Sequence, residues 1–251
     1  MKVTNVLSAG CSFTANEVVG FTGGTPPGEE SLGSNSFRQN LEPKSWAGWL
    51  AKKLDSESFV NVAAGACGNY CVSKSVRTML EKYNYAPTNT LVIFNITSMS
   101  RRDVKVKYNS LNKYIPWEED LMDFTFLEPF SSEWKAALKD IPIYPGIGKP
   151  LIPKEFIEEI VERNTRKLYQ LFEYLTENAY PYVFTTMEDY SHLPLVQEYK
   201  DNLVPLPGNG MFEFATSLCE ISEDKFHPTI NAHHRIGHLA YNFICKKGYI
   251  K

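Results

Sequence analysis

The chain has 251 residues, 43% of them hydrophobic, and a net charge of −3, which fits one α/β domain with a large core. The mild negative charge comes without a Lys/Arg block, which argues against a nucleic-acid or anionic-membrane partner. No apolar run reaches the ~18 residues of a membrane helix, and the apolar part of M-K-V-T-N-V-L-S-A-G is short for a secretion signal.

The first predicted strand, residues 3–9, stops at Gly10, and Ser12 follows two residues later. The small residues of S-A-G-C-S-F-T allow a tight reversal that presents a serine at the carboxyl end of a strand. Open α/β sheets place their sites there. Taken alone, Gly-x-Ser after a strand is more often an ordinary strand-to-helix turn. Residues 15–43 are rich in Gly, Pro, Ser and Asn and far exceed a usual βα loop. They read either as a surface insertion or as a flap over the serine.

Residues 45–55 predict an amphipathic helix capped by Ser45, with Trp46, Trp49, Leu50 and Leu54 on one face. A second strand at 59–65 runs into a small-residue turn at 65–69. A helix over 71–83 follows, with Val72, Val76, Met79 and Leu80 inward. T-L-V-I-F-N-I-T at 90–97 is the strongest strand signal, an apolar run of the kind a central parallel strand shows. Residues 104–152 mix aromatics, charges and prolines and read as an insertion near the carboxyl ends of the strands. Residues 153–179 predict a long helix whose stripe includes Ile160, Leu168, Leu171, Phe172 and Leu175. A fourth strand is expected at 182–186. Residues 187–210 are loop-like, with L-V-P-L-P as a short fifth strand, and a short helix is expected from about 211. The final helix covers about 229–246. This β-α-β-α-β-(insertion)-α-β-…-α order predicts a single α/β domain over 1–251, a parallel sheet with helices on both faces.

A hydroxyl nucleophile needs a base within hydrogen-bond reach, and the base needs an orienting partner. D-K-F-H-P-T at 224–229 offers both: Asp224 folds back three residues onto the His227 ring and leaves Nε2 for Ser12. In isolation Asp-x-x-His is a helix cap with a solvent histidine; the serine at the other end of the chain changes its meaning. Thr229 is the expected N-cap of the last helix.

These blocks together resemble the SGNH, or GDSL-type, serine hydrolase superfamily. S-A-G-C-S-F-T is similar to its first block, with Cys11 where many members have Asp. N-V-A-A-G-A-C-G-N is similar to the second, and D-K-F-H-P-T to the last. The resemblance implies a three-layer flavodoxin-like fold with a parallel sheet of about five strands. It implies a Ser12–His227–Asp224 triad, an oxyanion hole that includes the Ser12 and Gly68 N–H groups, and an esterase acting on small O-acyl esters such as acetylated carbohydrates, or on lipid or thioester substrates. The third block departs: the family ends its central strand in Gly-x-Asn-Asp, whereas this strand ends I-F-N-I-T-S-M-S-R-R-D. Thr97 or Ser98 is then the candidate for the missing donor, or the site relies on the Ser12 and Gly68 N–H groups. Asn69 and Arg101 are candidate substrate contacts; Arg101 and Arg102 otherwise form salt bridges with Asp103 or other acids. The altered block leaves a second possibility, a catalytically weak or inactive binding or accessory protein on the same scaffold.

The sequence calls for no cofactor. His234 and His238 stand four apart, a metal-compatible spacing, but no carboxylate or cysteine is placed to complete a set. No metal is expected; His192 carries no signal. Five scattered cysteines, Cys11, Cys67, Cys71, Cys219 and Cys245, suit a reduced, cytoplasmic protein rather than a disulfide framework. The expected partner is a small-molecule ester, with no nucleic acid and no membrane span.

Overall fold

The computed structural model describes residues 2–14, 43–63, 68–100, 103–104, 125–126, 154–223 and 227–250. All but residue 43 of the stretch 15–43, most of the insertion at 104–152, and Cys67, Arg101, Arg102 and Asp224 lie outside the described residues.

In chain order the elements begin with β1 (Asn5–Ala9), α1 (Trp46–Lys53), β2 (Ser58–Asn61), α2 (Asn69–Lys82) and β3 (Thr90–Ile96). A two-residue antiparallel pair follows, β4 (Asp103–Val104) with β5 (Thr125–Phe126). The chain then forms α3 (Lys154–Glu177), β6 (Tyr182–Thr186), α4 (Pro194–Glu198), α5 (Met211–Ser217) and α6 (Ile230–Lys246). The main sheet has four strands in the order β2-β1-β3-β6, all parallel.

Alternating side chains of the sheet feed two cores. On one face Leu7, Val92, Phe94 and Phe184 pack with Val72, Val76, Met79 and Leu80 of α2 and Leu168, Leu171 and Phe172 of α3. On the other, Val6, Leu91, Ile93 and Val183 pack with Trp46 and Leu50 of α1 and Ile236, Ala240 and Ile244 of α6. The result is the expected three-layer α/β arrangement. All seven residues of β3 are buried, as befits a strand covered on both faces. Each fully buried Leu, Ile, Val or Phe contributes roughly 1.5–3 kcal/mol, so β3 and its neighbours anchor the whole layer structure.

Caps set the helix starts. The Ser45 side chain accepts from the Gly48 N–H at 3.1 Å, and Thr229 accepts from the Ala232 N–H at 3.3 Å. Where α6 crosses α1, a Cβ on Gly237 would stand 2.8 Å from the Trp49 ring and 3.0 Å from the Trp46 carbonyl oxygen. Only glycine lets the two helices approach that closely.

Two expectations are adjusted. The fifth strand reduces to one parallel bridge, Phe184 to Leu203, with the Val204 N–H bonded to the Phe184 carbonyl at 2.9 Å. Pro205 and Pro207 have no N–H to extend the ladder. The stretch 187–210 also contains helix α4 rather than loop alone: Pro194 sits in its first turn, where a fixed φ favours a helix start, and Leu195 and Val196 are buried.

Candidate active site

The carboxyl ends of β1, β2 and β3 lie at one edge of the sheet, since Ala9 pairs with Phe94 and Ser8 with Asn61. The turn after β1 presents Ser12. It is closed by the Thr14 N–H donating to the Cys11 carbonyl at 2.9 Å. Its flanks point inward: Cys11, Phe13 and Thr14 are fully buried, while Ser12 is half-buried. Thr14 is pinned twice, its Oγ1 accepting from Trp46 Nε1 at 3.3 Å and its carbonyl from Asn61 Nδ2 at 3.0 Å. The Cys11 thiol stands 3.7 Å from Asn95 Oδ1. Gly10 makes this packing possible: a Cβ there would lie 2.8 Å from Thr14 Cβ and 3.1 Å from Asn95 Cβ.

His227 arrives from the other end of the chain on a loop tied at its neck. The Ser222 N–H donates to the His227 carbonyl at 2.8 Å, and the Thr229 N–H to the Glu220 carbonyl at 2.8 Å. Ile221 and Pro228 form an antiparallel bridge between them. The His227 Nε2 lies 2.7 Å from Ser12 Oγ. Phe13 packs beside the imidazole, ring centroids 5.4 Å apart, which limits how far the ring can swing.

Gly68 is the N-cap of α2, in an extended conformation. Asn69, read from the sequence as a substrate contact, is fully buried and turned inward. Its Nδ2 donates to the Thr97 carbonyl at 3.1 Å and its Oδ1 accepts from the Thr97 N–H at 2.9 Å. The Thr97 hydroxyl also faces Asn69 Oδ1, at 3.4 Å. The Ser98 hydroxyl is 3.0 Å from that of Ser100. Both hydroxyls considered as replacement oxyanion donors therefore have internal partners. Asn95 lies inside β3, where its Nδ2 donates to Thr185 Oγ1 at 3.1 Å.

Two residues that sequence reasoning missed hold the turn after β3. Buried Asn164 donates from Nδ2 to the Met99 carbonyl at 2.7 Å. The sequence carried a signal for it: a polar residue on the apolar stripe of α3, four after Ile160 and four before Leu168. Tyr190 donates to Glu188 Oε2 at 3.1 Å and reaches Ser98; burial, then the Glu188 carboxylate, push its phenol pKa above the ordinary value. No sequence pattern marks Tyr190, which lies in an irregular segment.

On α6, His234 donates from Nε2 to the Pro43 carbonyl at 3.1 Å, and both His234 and His238 pack against Trp49. Among the described residues no group of three His, Cys, Asp or Glu side chains is arranged to hold a metal ion. Cys11, Cys219 and Cys245 are free thiols. No described helix is long and apolar enough to cross a membrane.

No protein-family model matches the chain, and no curated protein matches it at a significant level. Among solved structures it is similar to the psychrotrophic esterase EstA from Pseudoalteromonas sp., inhibited by monoethylphosphonate, at 12% identity and TM-score 0.49, over 98% of this chain and 100% of that one. It is also similar to LAE5, an α/β hydrolase enzyme from the metagenome of Lake Arreo, at 9% identity and TM-score 0.44, covering 99% and 96%. An extracellular lipase from Streptomyces rimosus matches at 11% identity and TM-score 0.28, covering 96% and 98%. Likeness at this level carries no weight for activity, and the chemistry is read from the site itself.

Proposed function

We propose that the protein is a serine hydrolase of ester bonds. One observation carries this reading: Ser12 Oγ and His227 Nε2 stand 2.7 Å apart, although 215 residues separate them. Each is held by a loop with its own hydrogen bonds, so the pair is built into the backbone.

In the proposed reaction Ser12 Oγ attacks the ester carbonyl carbon while His227 Nε2 takes its proton. The imidazolium gives that proton to the leaving alkoxide, and an acyl group stays on Ser12. Water then attacks the acyl carbon, His227 taking its proton. The carbonyl carbon–Oγ bond breaks, Ser12 recovers a proton from His227, and the acid departs. Nε2 accepts only when the ring proton is on Nδ1. Asp224 is assigned to hold that proton and to stabilise the cation. The backbone N–H groups of Ser12 and Gly68 are assigned to the oxyanion. With the Thr97 N–H and hydroxyl engaged by Asn69, this assignment does not depend on the third block. No cofactor enters any step. The resemblance to the SGNH superfamily supports these roles and points to small O-acyl esters such as acetylated carbohydrates, or to lipid or thioester substrates.

The same engagement of Thr97 favours a second reading, a binding protein on this scaffold without turnover, because one oxyanion donor is typically worth 10²–10³ in rate. Incubation of wild type and Ser12→Ala with p-nitrophenyl acetate separates the two. Ester hydrolysis above background that disappears in Ser12→Ala is expected. Equal rates for both proteins would leave only the binding reading.

A further inference from the structure

A groove of about 220 Å³ runs between α2 and α3, lined by residues that include Tyr70, Lys74, Arg77, Glu81, Lys167 and Gln170. Its charge is assembled from two helices, so no linear block in the sequence announces it. Lys74, Arg77 and Glu81 share one face of α2 at helical spacing, and Arg163 and Lys167 are four apart on α3. Both α3 cations stand over the same ring: the Arg163 guanidinium is 5.0 Å and the Lys167 ammonium 5.3 Å from the Tyr70 centroid. Like charges at this spacing repel. Among the described residues no carboxylate lies within salt-bridge distance of either. Arg77 pairs with Glu81 at 3.6 Å, with side chains 42% and 54% exposed respectively; such exposed pairs are weak and yield to a stronger anion.

The groove is also organised. Ser73 Oγ donates to the Lys167 carbonyl at 2.9 Å, tying the helices together. Lys167 Nζ donates to Gln170 Oε1 at 2.9 Å, which holds the ammonium in place. A guanidinium fork with ammonium point charges around a small recess fits a compact, multiply charged oxoanion. We propose that this groove binds a phosphate monoester group, held by Arg77 and Lys167 of its lining together with Arg163, which stands over Tyr70 at its edge. Tyr70 is two residues beyond Gly68, so the lining of the groove begins in the first turn of α2, next to the glycine assigned to the oxyanion. At the rise of an α-helix, Arg77 lies about 13 Å further along. The phosphate is therefore either a free ligand or part of an ester substrate.

Calorimetric titration of the full chain with inorganic phosphate, against sodium chloride at matched ionic strength, tests the site. Saturable binding is expected, weakened about tenfold or more in the Arg163→Gln/Lys167→Gln variant at unchanged far-UV circular dichroism. Lys167→Gln alone serves if the pair disturbs folding. No saturable binding, or binding unchanged by these substitutions, overturns the proposal. A second arm compares kcat/KM for the acetate ester of glycerol 3-phosphate with that for glyceryl monoacetate. A preference for the phosphorylated ester that Lys167→Gln removes assigns the phosphate to the substrate; equal values beside intact phosphate binding assign it to a free ligand. Only this arm rests on the Ser12 reading, so an enzyme inactive on both esters contradicts that reading and leaves the titration to decide the groove.

Discussion

The side-chain amide of Asn69 pairs with the main chain of Thr97 in both directions, Nδ2 to the carbonyl at 3.1 Å and Oδ1 from the N–H at 2.9 Å. Asn69 opens the helix that Gly68 caps, and Thr97 follows the central strand, so one amide joins two walls of the candidate site. Asn69→Ala leaves two buried main-chain groups unpaired, at about 1–3 kcal/mol each. Denaturant titration is expected to show a loss of about 2–6 kcal/mol, with ester hydrolysis reduced in the folded fraction. A loss below about 1 kcal/mol would mean the amide is not the joint described.

Gly10→Ala tests the turn itself. The new Cβ would stand 2.8 Å from Thr14 Cβ and 3.1 Å from Asn95 Cβ, and both neighbours are fully buried. Overpacking of this kind typically costs 1–3 kcal/mol. Relief requires residues 11–14 to move, which displaces Ser12 from His227. Stability and hydrolysis are expected to fall together. An alanine variant with wild-type kcat/KM would show that the turn tolerates what the contacts forbid.

His233 makes stability depend on pH. It is 2% exposed, and its Nδ1 has no hydrogen-bond partner among the described residues. Burial, and then His227 and His234, lower its pKa to about 3. In the unfolded chain a histidine titrates near pH 6.5. Between these values the unfolded chain binds the extra proton, so stability is fully present above about pH 6.5 and is lost as pH falls toward 3. The contribution is about 1.4 kcal/mol per pH unit, or about 2 kcal/mol at pH 5. Thermal unfolding at pH 7 and pH 5 is expected to show a smaller drop for His233→Leu than for wild type. Equal drops would place the acid sensitivity elsewhere.

Hydrophobic periodicity made the layers legible. The continuous apolar run of β3 and the stripe of α3 are strong one-dimensional signals, and Val72, Val76, Met79 and Leu80 face inward as their spacing predicts. The same periodicity is silent about single hydrogen bonds between distant residues. The sequence offers Asn69 as a candidate substrate contact next to Gly68; only the packing of β3 against the start of α2 shows it buried on Thr97. The short helix α4 escaped because five residues give too little periodicity to read. Ser12 and His227 were legible for a different reason: each sits in a turn whose small or proline residues mark a fixed backbone. Their meeting is a tertiary fact that neither turn contains.

The most direct measurement is the mass of the protein after exposure to a fluorophosphonate, which reacts preferentially with an activated serine. Wild type is expected to gain one phosphonyl group on the peptide containing Ser12. His227→Ala, lacking the base, is expected to react about 10²–10⁴ times more slowly. A wild-type protein left unmodified at Ser12, or a His227→Ala variant labelled at the wild-type rate, would contradict the proposed roles of Ser12 as nucleophile and His227 as base.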